Sequence, residues 1–180
     1  MLTSTKIFYG LLGTFLLGFI LLALLETAAL SADSPDEAFS QFAEDNMLFD
    51  DKKQVGGYEI HTVDDALFIP FEVEGRSGAA FFRDGIFGLR HDSSFMYQED
   101  VFTVRKDQAG DTEIVHGPVP PEILEDVESV TVQGQEGRIV RLSDDAGMFT
   151  FLDNGTLAEE EGEPVQVRFY NSERELLYKK

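Results

Sequence analysis

Three spacings of apolar residues follow one another along the chain. Ile7 to Leu25 (IFYGLLGTFLLGFILLALL) is continuous and uncharged. At about 1.5 Å per residue it makes a helix just long enough for a bilayer core of roughly 30 Å. Phe39, Phe42, Ala43 and Met47 then recur at helical spacing, one stripe over residues 35–48. From Gly56 the period drops to two, with Tyr58, Ile60 and Thr62 alternating with Glu59 and His61.

Local signals mark the joints. Ser34-Pro35-Asp36-Glu37 opens the second helix: Ser34 caps it, Pro35 suits its first position, and Glu37 reaches back to close a capping box. Leu67 to Val73 is a denser strand in which Pro70 predicts an edge or a bulge. Residues 79–90 read as a hairpin turning at Asp84-Gly85. Further strands are predicted at 95–105, 112–116, 129–133, 138–142, 148–152 and 165–170, with a weaker one at 175–178. Pro120 to Val127 reads as a short helix between strands. Gly-rich and Asp-rich breaks separate nearly all the strands, and no period of about 20–50 residues repeats.

The expected fold is therefore mainly β: a single N-terminal transmembrane helix, a short amphipathic helix, and one antiparallel β-sandwich or small β-barrel. Residues 1–32 form the membrane anchor (or signal sequence) and stalk, 33–55 the amphipathic helix and linker, and 56–180 the β domain. A cleaved signal sequence would use Thr27 and Ala29, or Ala29 and Ser31, as its small pair, but its apolar core is ordinarily about 7–15 residues. The longer run at Ile7–Leu25 favours an uncleaved anchor. Lys6 before the run places the N-terminus in the cytoplasm and the larger part outside, a single-pass protein of the cell membrane. Gly10, Thr14 and Gly18 stack on one helical face, a candidate packing face for a second membrane helix.

Charge alters the picture of partners. Every acid but Glu26, and every base but Lys6, follows residue 32, so the formal charge of -20 belongs to residues 33–180. Such an excess repels nucleic acid and anionic lipid surfaces. It suits a chain bathed in concentrated salt, which screens a dense carboxylate surface. The other source of such acidity is a cationic or divalent-ion partner. Cysteine is absent, which excludes disulfides, thiolate zinc sites and a cysteine nucleophile. Sixteen Phe supply the core instead.

The candidate chemistry is sparse. His61, His91 and His116 are far apart in sequence and none has metal-ligand spacing. Gly75-Arg76-Ser77-Gly78-Ala79 lacks the serine-hydrolase pattern GxSxG, and no phosphate-binding glycine loop occurs. Asp64-Asp65, Asp144-Asp145 and Glu159-Glu160-Glu161 are acidic clusters without calcium-loop spacing. Asn154-Gly155-Thr156 is a glycosylation sequon in a predicted turn, making Asn154 a candidate modification site. No cofactor is expected. The expected role is that of a non-enzymatic interaction or accessory protein of the cell envelope, meeting the membrane through residues 7–25 and a protein partner at its surface. The alternative is a membrane-tethered hydrolase using carboxylates, with or without calcium.

Overall fold

The computed structural model describes residues 2–29, 31–46, 55–98, 101–153 and 165–180. Helices α1 (Leu2–Ala29) and α2 (Pro35–Asp45) precede two antiparallel sheets. The first contains β1 (Val55–Tyr58), β2 (His61–Val63), β3 (Ala66–Val73), β4 (Arg76–Gly85) and β5 (Gly88–Met96). Its order is β1-β3-β4-β5, with β2 also paired to β3. The second contains β6 (Arg105–Ala109), β7 (Thr112–Pro118), β8 (Ser129–Val132), β9 (Gln135–Arg141), β10 (Gly147–Asp153), β11 (Val167–Tyr170) and β12 (Leu176–Lys179). Its order is β12-β11-β8-β9-β10-β7-β6.

The layers explain why β3 is buried along its whole length. Leu67, Ile69, Phe71 and Val73 alternate onto the face covered by Ala38, Phe39 and Phe42 of α2. Ala66 and Phe68 face the second sheet, where Ile114, Val140 and Met148 meet them. Covering both faces converts the expected alternation into a continuous apolar run. The second sheet has its own interior. Phe149 on β10 and Phe169 on β11 lie 5.6 Å apart between ring centres, although two strands separate them in the sheet. A flat sheet would hold those strands about 14 Å apart, so this sheet curls into a half-barrel. The mainly β, antiparallel reading therefore holds.

Helix α2 starts as its sequence signals. The Glu37 N–H donates to Ser34 Oγ at 3.2 Å, and Glu37 Oε2 accepts from the Asp33 N–H at 3.0 Å. It ends at Asp45, within the predicted span. Pro70, by contrast, lies in an inner strand. Pro70 has no N–H to offer, and the outer neighbour of β3 is broken into β1 and β2 opposite it. Its carbonyl still accepts from the Glu59 N–H at 3.1 Å. The hairpin also turns two residues later than predicted. Asp84 pairs with Leu89 and Gly85 with Gly88, leaving Ile86 and Phe87 as the loop. Gly88 adopts φ +116°, which Leu or Ile would resist, and its Cα faces the Ala32 carbonyl. Residues 120–127 yield only a 3₁₀ turn at Pro121–Ile123, short of a helix. Asn154 and Glu159-Glu160-Glu161 lie outside the described residues.

Among the described residues no helix is long and apolar enough to cross a membrane. The side chains described on α1 are Tyr9 and those from Leu12 to Ala28, and Leu12–Leu25 measures about 21 Å against a core of about 30 Å. The spanning helix expected at Ile7–Leu25 is thus not carried by the described residues alone. On α1, Thr14 and Gly18 are exposed, while Gly10 falls outside the residues whose surroundings are described.

One close approach tests the packing under α2. A Cβ added at Gly78 would stand 2.7 Å from Cζ of the buried Phe71 and would also press on Met96. Gly78→Ala is expected to lower stability by about 1–3 kcal/mol, because overpacking outweighs the roughly 0.4–1 kcal/mol gained from a stiffer unfolded chain. Urea unfolding of the full chain in detergent micelles measures it. An unchanged midpoint would show that this layer yields freely.

Candidate functional site

A row of polar residues fixed by strand register crosses the seam between the sheets, buried at its centre in Thr150 and His116 and exposed at its ends in Arg138 and Arg105. Arg138 on β9 pairs with Thr150 on β10, Thr150 with His116 on β7, and His116 with Arg105 on β6. Paired residues share a face of an antiparallel sheet. That face looks at the first sheet, because Ile114 and Met148, two residues along, sit in the inter-sheet core. Opposite the row stand Phe68, Phe81 and Phe95, whose rings lie 5.1, 5.7 and 5.2 Å from the His116 ring.

His116 is fully buried and both ring nitrogens are engaged. Nδ1 lies 2.7 Å from the Tyr97 hydroxyl and Nε2 lies 3.0 Å from Asp107 Oδ2. An ionised Asp107 can only accept, so Nε2 carries the hydrogen and Nδ1 accepts from the Tyr97 O–H. Arg105 completes the chain. Its Nε donates to the same Asp107 oxygen at 3.2 Å, and its guanidinium sits 4.1 Å above the Phe95 ring. Tyr97, His116, Asp107 and Arg105 thus form one continuous relay from the core to the surface.

The environment sets each protonation state. Burial lowers the His116 pKa, and the Asp107 hydrogen bond opposes without overcoming it. Burial raises the Asp107 carboxyl, but hydrogen bonds from His116 and Arg105 outweigh it and hold Asp107 below the ordinary carboxylate range. Burial raises the Tyr97 phenol far out of reach of neutral pH. The order carboxylate, imidazole, hydroxyl is that of a nucleophilic triad. A nucleophile, however, needs access and a lowered pKa. Tyr97 is buried and shifted the other way, so the relay orders the seam without activating an attacking group.

Beside the relay the seam opens into a groove of about 500 Å³, lined by Ile60, His61, Val63, Phe68, Arg138 and Thr150 among others. Glu59 holds Arg138, which donates to its Oε1, while His61 Nε2 lies 3.5 Å from the same atom without a hydrogen bond. Burial lowers the His61 pKa, with Glu59 opposing. The groove offers an ion pair, hydroxyls and an apolar floor, in the size range of a small-molecule site.

The three histidines do not converge. Phe68 stands between His61 and His116, at 5.9 and 5.1 Å from their rings. His91 stacks on Phe42 at 4.8 Å beneath α2. Among the described residues no group of three or more histidines or acids could hold a metal ion. Asp64 accepts from the Thr112 hydroxyl at 2.7 Å beside the β2–β3 turn, and Asp144-Asp145 occupy the separate turn before β10. Sequence reasoning singled out His116 but not its row. The available signal was a polar residue at an inward, period-two position in three strands: His116 after Ile114, Thr150 after Met148, and Arg138 before Val140.

No protein-family model, curated protein or solved structure matches this chain.

Proposed function

We propose that this chain is a membrane-tethered β domain that acts by binding, at the outer face of the cell membrane. The observation that carries the reading is the surface of α1. Phe15, Leu16, Leu17, Ile20, Leu21 and Leu25 are all exposed, and at 100° per residue they spread right round the axis. A helix apolar on every side has no aqueous face and is stable within lipid. Continued back to Ile7, the run reaches the length of a span. Lys6 at its start favours a cytoplasmic N-terminus. The acidic surface of the domain suits concentrated salt.

Binding is favoured over turnover by the seam. Its buried hydroxyl is tied into the relay, whereas its open groove presents an ion pair over an apolar floor. A carboxylate hydrolase finds no support in Asp64-Asp65 and Asp144-Asp145, which occupy separate turns.

Two fractionations test the reading. Alkaline carbonate should leave the full chain in the membrane pellet, and protease added to intact cells should remove the β domain. Release by carbonate overturns the tether; complete protection overturns the orientation.

A further inference from the structure

Among the described residues of the domain, the β4–β5 turn carries the most exposed large apolar side chain. Ile86 is 92% exposed and Phe87 39% exposed at its tip. Ile86 gains little from the core where it stands, and Phe87 beside it extends the apolar point, a surface that another phase or partner would cover. The chain itself supplies a candidate. Immediately after α1, Ala32 forms an antiparallel bridge with Leu89: the Ala32 N–H donates to the Leu89 carbonyl and the Leu89 N–H to the Ala32 carbonyl, both at 2.9 Å. Ala32 is itself buried. The linker therefore does not dangle; it is stitched to the strand that leaves the tip.

Chain geometry bounds the separation. Ile86 is three residues from Leu89, and Ala29 is three residues from Ala32, each about 10 Å at full extension. With about 5 Å more across the Leu89–Ala32 bridge, the tip lies within roughly 25 Å of the end of α1, so the tether holds it near the bilayer surface. The residues behind the tip have matching chemistry. Arg83 and Arg90 pair across the hairpin. The Arg90 stem runs beside Gly85, and Arg83 is shared with Asp92 at 3.2 Å. The two guanidinium groups stand three register pairs behind the apolar point, with the exposed Asp84 between, and an interfacial anchor likewise sets its apolar point deeper than its bases.

We propose that Ile86 and Phe87 form a second membrane contact, inserted at the headgroup–acyl boundary of the bilayer that holds α1. The contact seats the domain and fixes which face it turns to partners. It rests on the tether reading given above, and the test separates the two.

The chain lacks cysteine, so single labels are clean. Ile86→Cys, Leu17→Cys and Glu122→Cys, each in the full chain, carry an environment-sensitive fluorophore in phosphatidylcholine vesicles, with and without lipids brominated near the headgroup end of the acyl chain for 86 and 122 and near its methyl end for 17. The label at 86 should shift to the blue and lose about half its intensity to bromine, as expected for insertion of ~5–10 Å. The label at 122 should be unaffected. Quenching at 17 but not at 86 overturns the second contact and leaves the tether standing. Absence of quenching at 17 overturns the tether, and this inference with it. A blue shift at 86 without bromine quenching assigns the tip to a protein surface, including a second copy, and also overturns the proposal.

Discussion

Replacing His116 with alanine is expected to lower the stability of the domain by about 3–5 kcal/mol, a large share of the ~5–15 kcal/mol typical of a folded domain. Two costs combine. The ring is fully buried among Phe68, Phe81 and Phe95, so its removal leaves a cavity. Its loss also strips the Tyr97 hydroxyl and Asp107 of the partners at 2.7 and 3.0 Å. His116→Phe separates the two, because it refills the cavity while leaving both polar groups short of a partner. It should recover part of the loss and not all. Urea unfolding of the full chain in micelles, followed by tyrosine fluorescence in the absence of tryptophan, reads both variants. A loss below about 1 kcal/mol for His116→Ala would mean that the relay does not hold the seam.

The same residue gives the seam a pH dependence whose sign is fixed. The folded His116 has a pKa below its ordinary value of 6.5, so the unfolded chain binds the proton more readily. Its stabilising contribution is complete above pH 6.5 and is lost as pH falls below it. Asp107, held below its ordinary value, adds stability that is lost only at still lower pH. His61 and His91 are also lowered by burial and act in the same direction as His116. The stability difference between the natural chain and His116→Phe should therefore narrow as pH falls from 7 towards 5, while some slope persists in the variant. A constant difference across that range would place the His116 proton elsewhere.

What the sequence made legible was local. Ser34, Pro35 and Glu37 determine the start of α2 through contacts within four residues: the Ser34 cap formed, and Glu37 reaches back to the Asp33 N–H, one residue before the capping-box position. The strands were legible where one face is buried, as the alternation of β11 shows. Errors arose where the partner strand decides. Pro70 predicts an edge because it lacks a donor, yet β3 tolerates it by breaking its neighbour instead. Asp84-Gly85 is a strong turn signal, but the Ala32 bridge and Gly88 favour a turn at Ile86-Phe87. The candidate site was hidden for the same reason. His116, Arg105, Thr150 and Arg138 are neighbours only through register across four strands, and no spacing along one strand encodes that. Scattered histidines gave no hint that two would flank Phe68.

The tether has the largest expected response of all. Phe15→Arg combined with Leu17→Arg is expected to move the full chain from the membrane to the soluble fraction. Each arginine near the centre of a span costs about 2.5–3.5 kcal/mol, so the pair costs roughly 5–7 kcal/mol and shifts partitioning by about 10⁴–10⁵. The choice of positions removes an escape. Two residues apart on a helix means 200° apart, so one sheltered face cannot take both guanidinium groups. Both side chains are fully presented to the surroundings now, at 74% and 71% exposure, so neither is needed to pack the domain. Phe15→Ala with Leu17→Ala removes the same bulk without charge and should remain membrane-bound. Flotation on a density gradient distinguishes them. If the arginine pair still floats, α1 is not the element that holds the chain, and its apolar surface must be covered by protein. If the alanine pair sinks as well, the loss reflects side-chain packing and not the cost of charge in lipid.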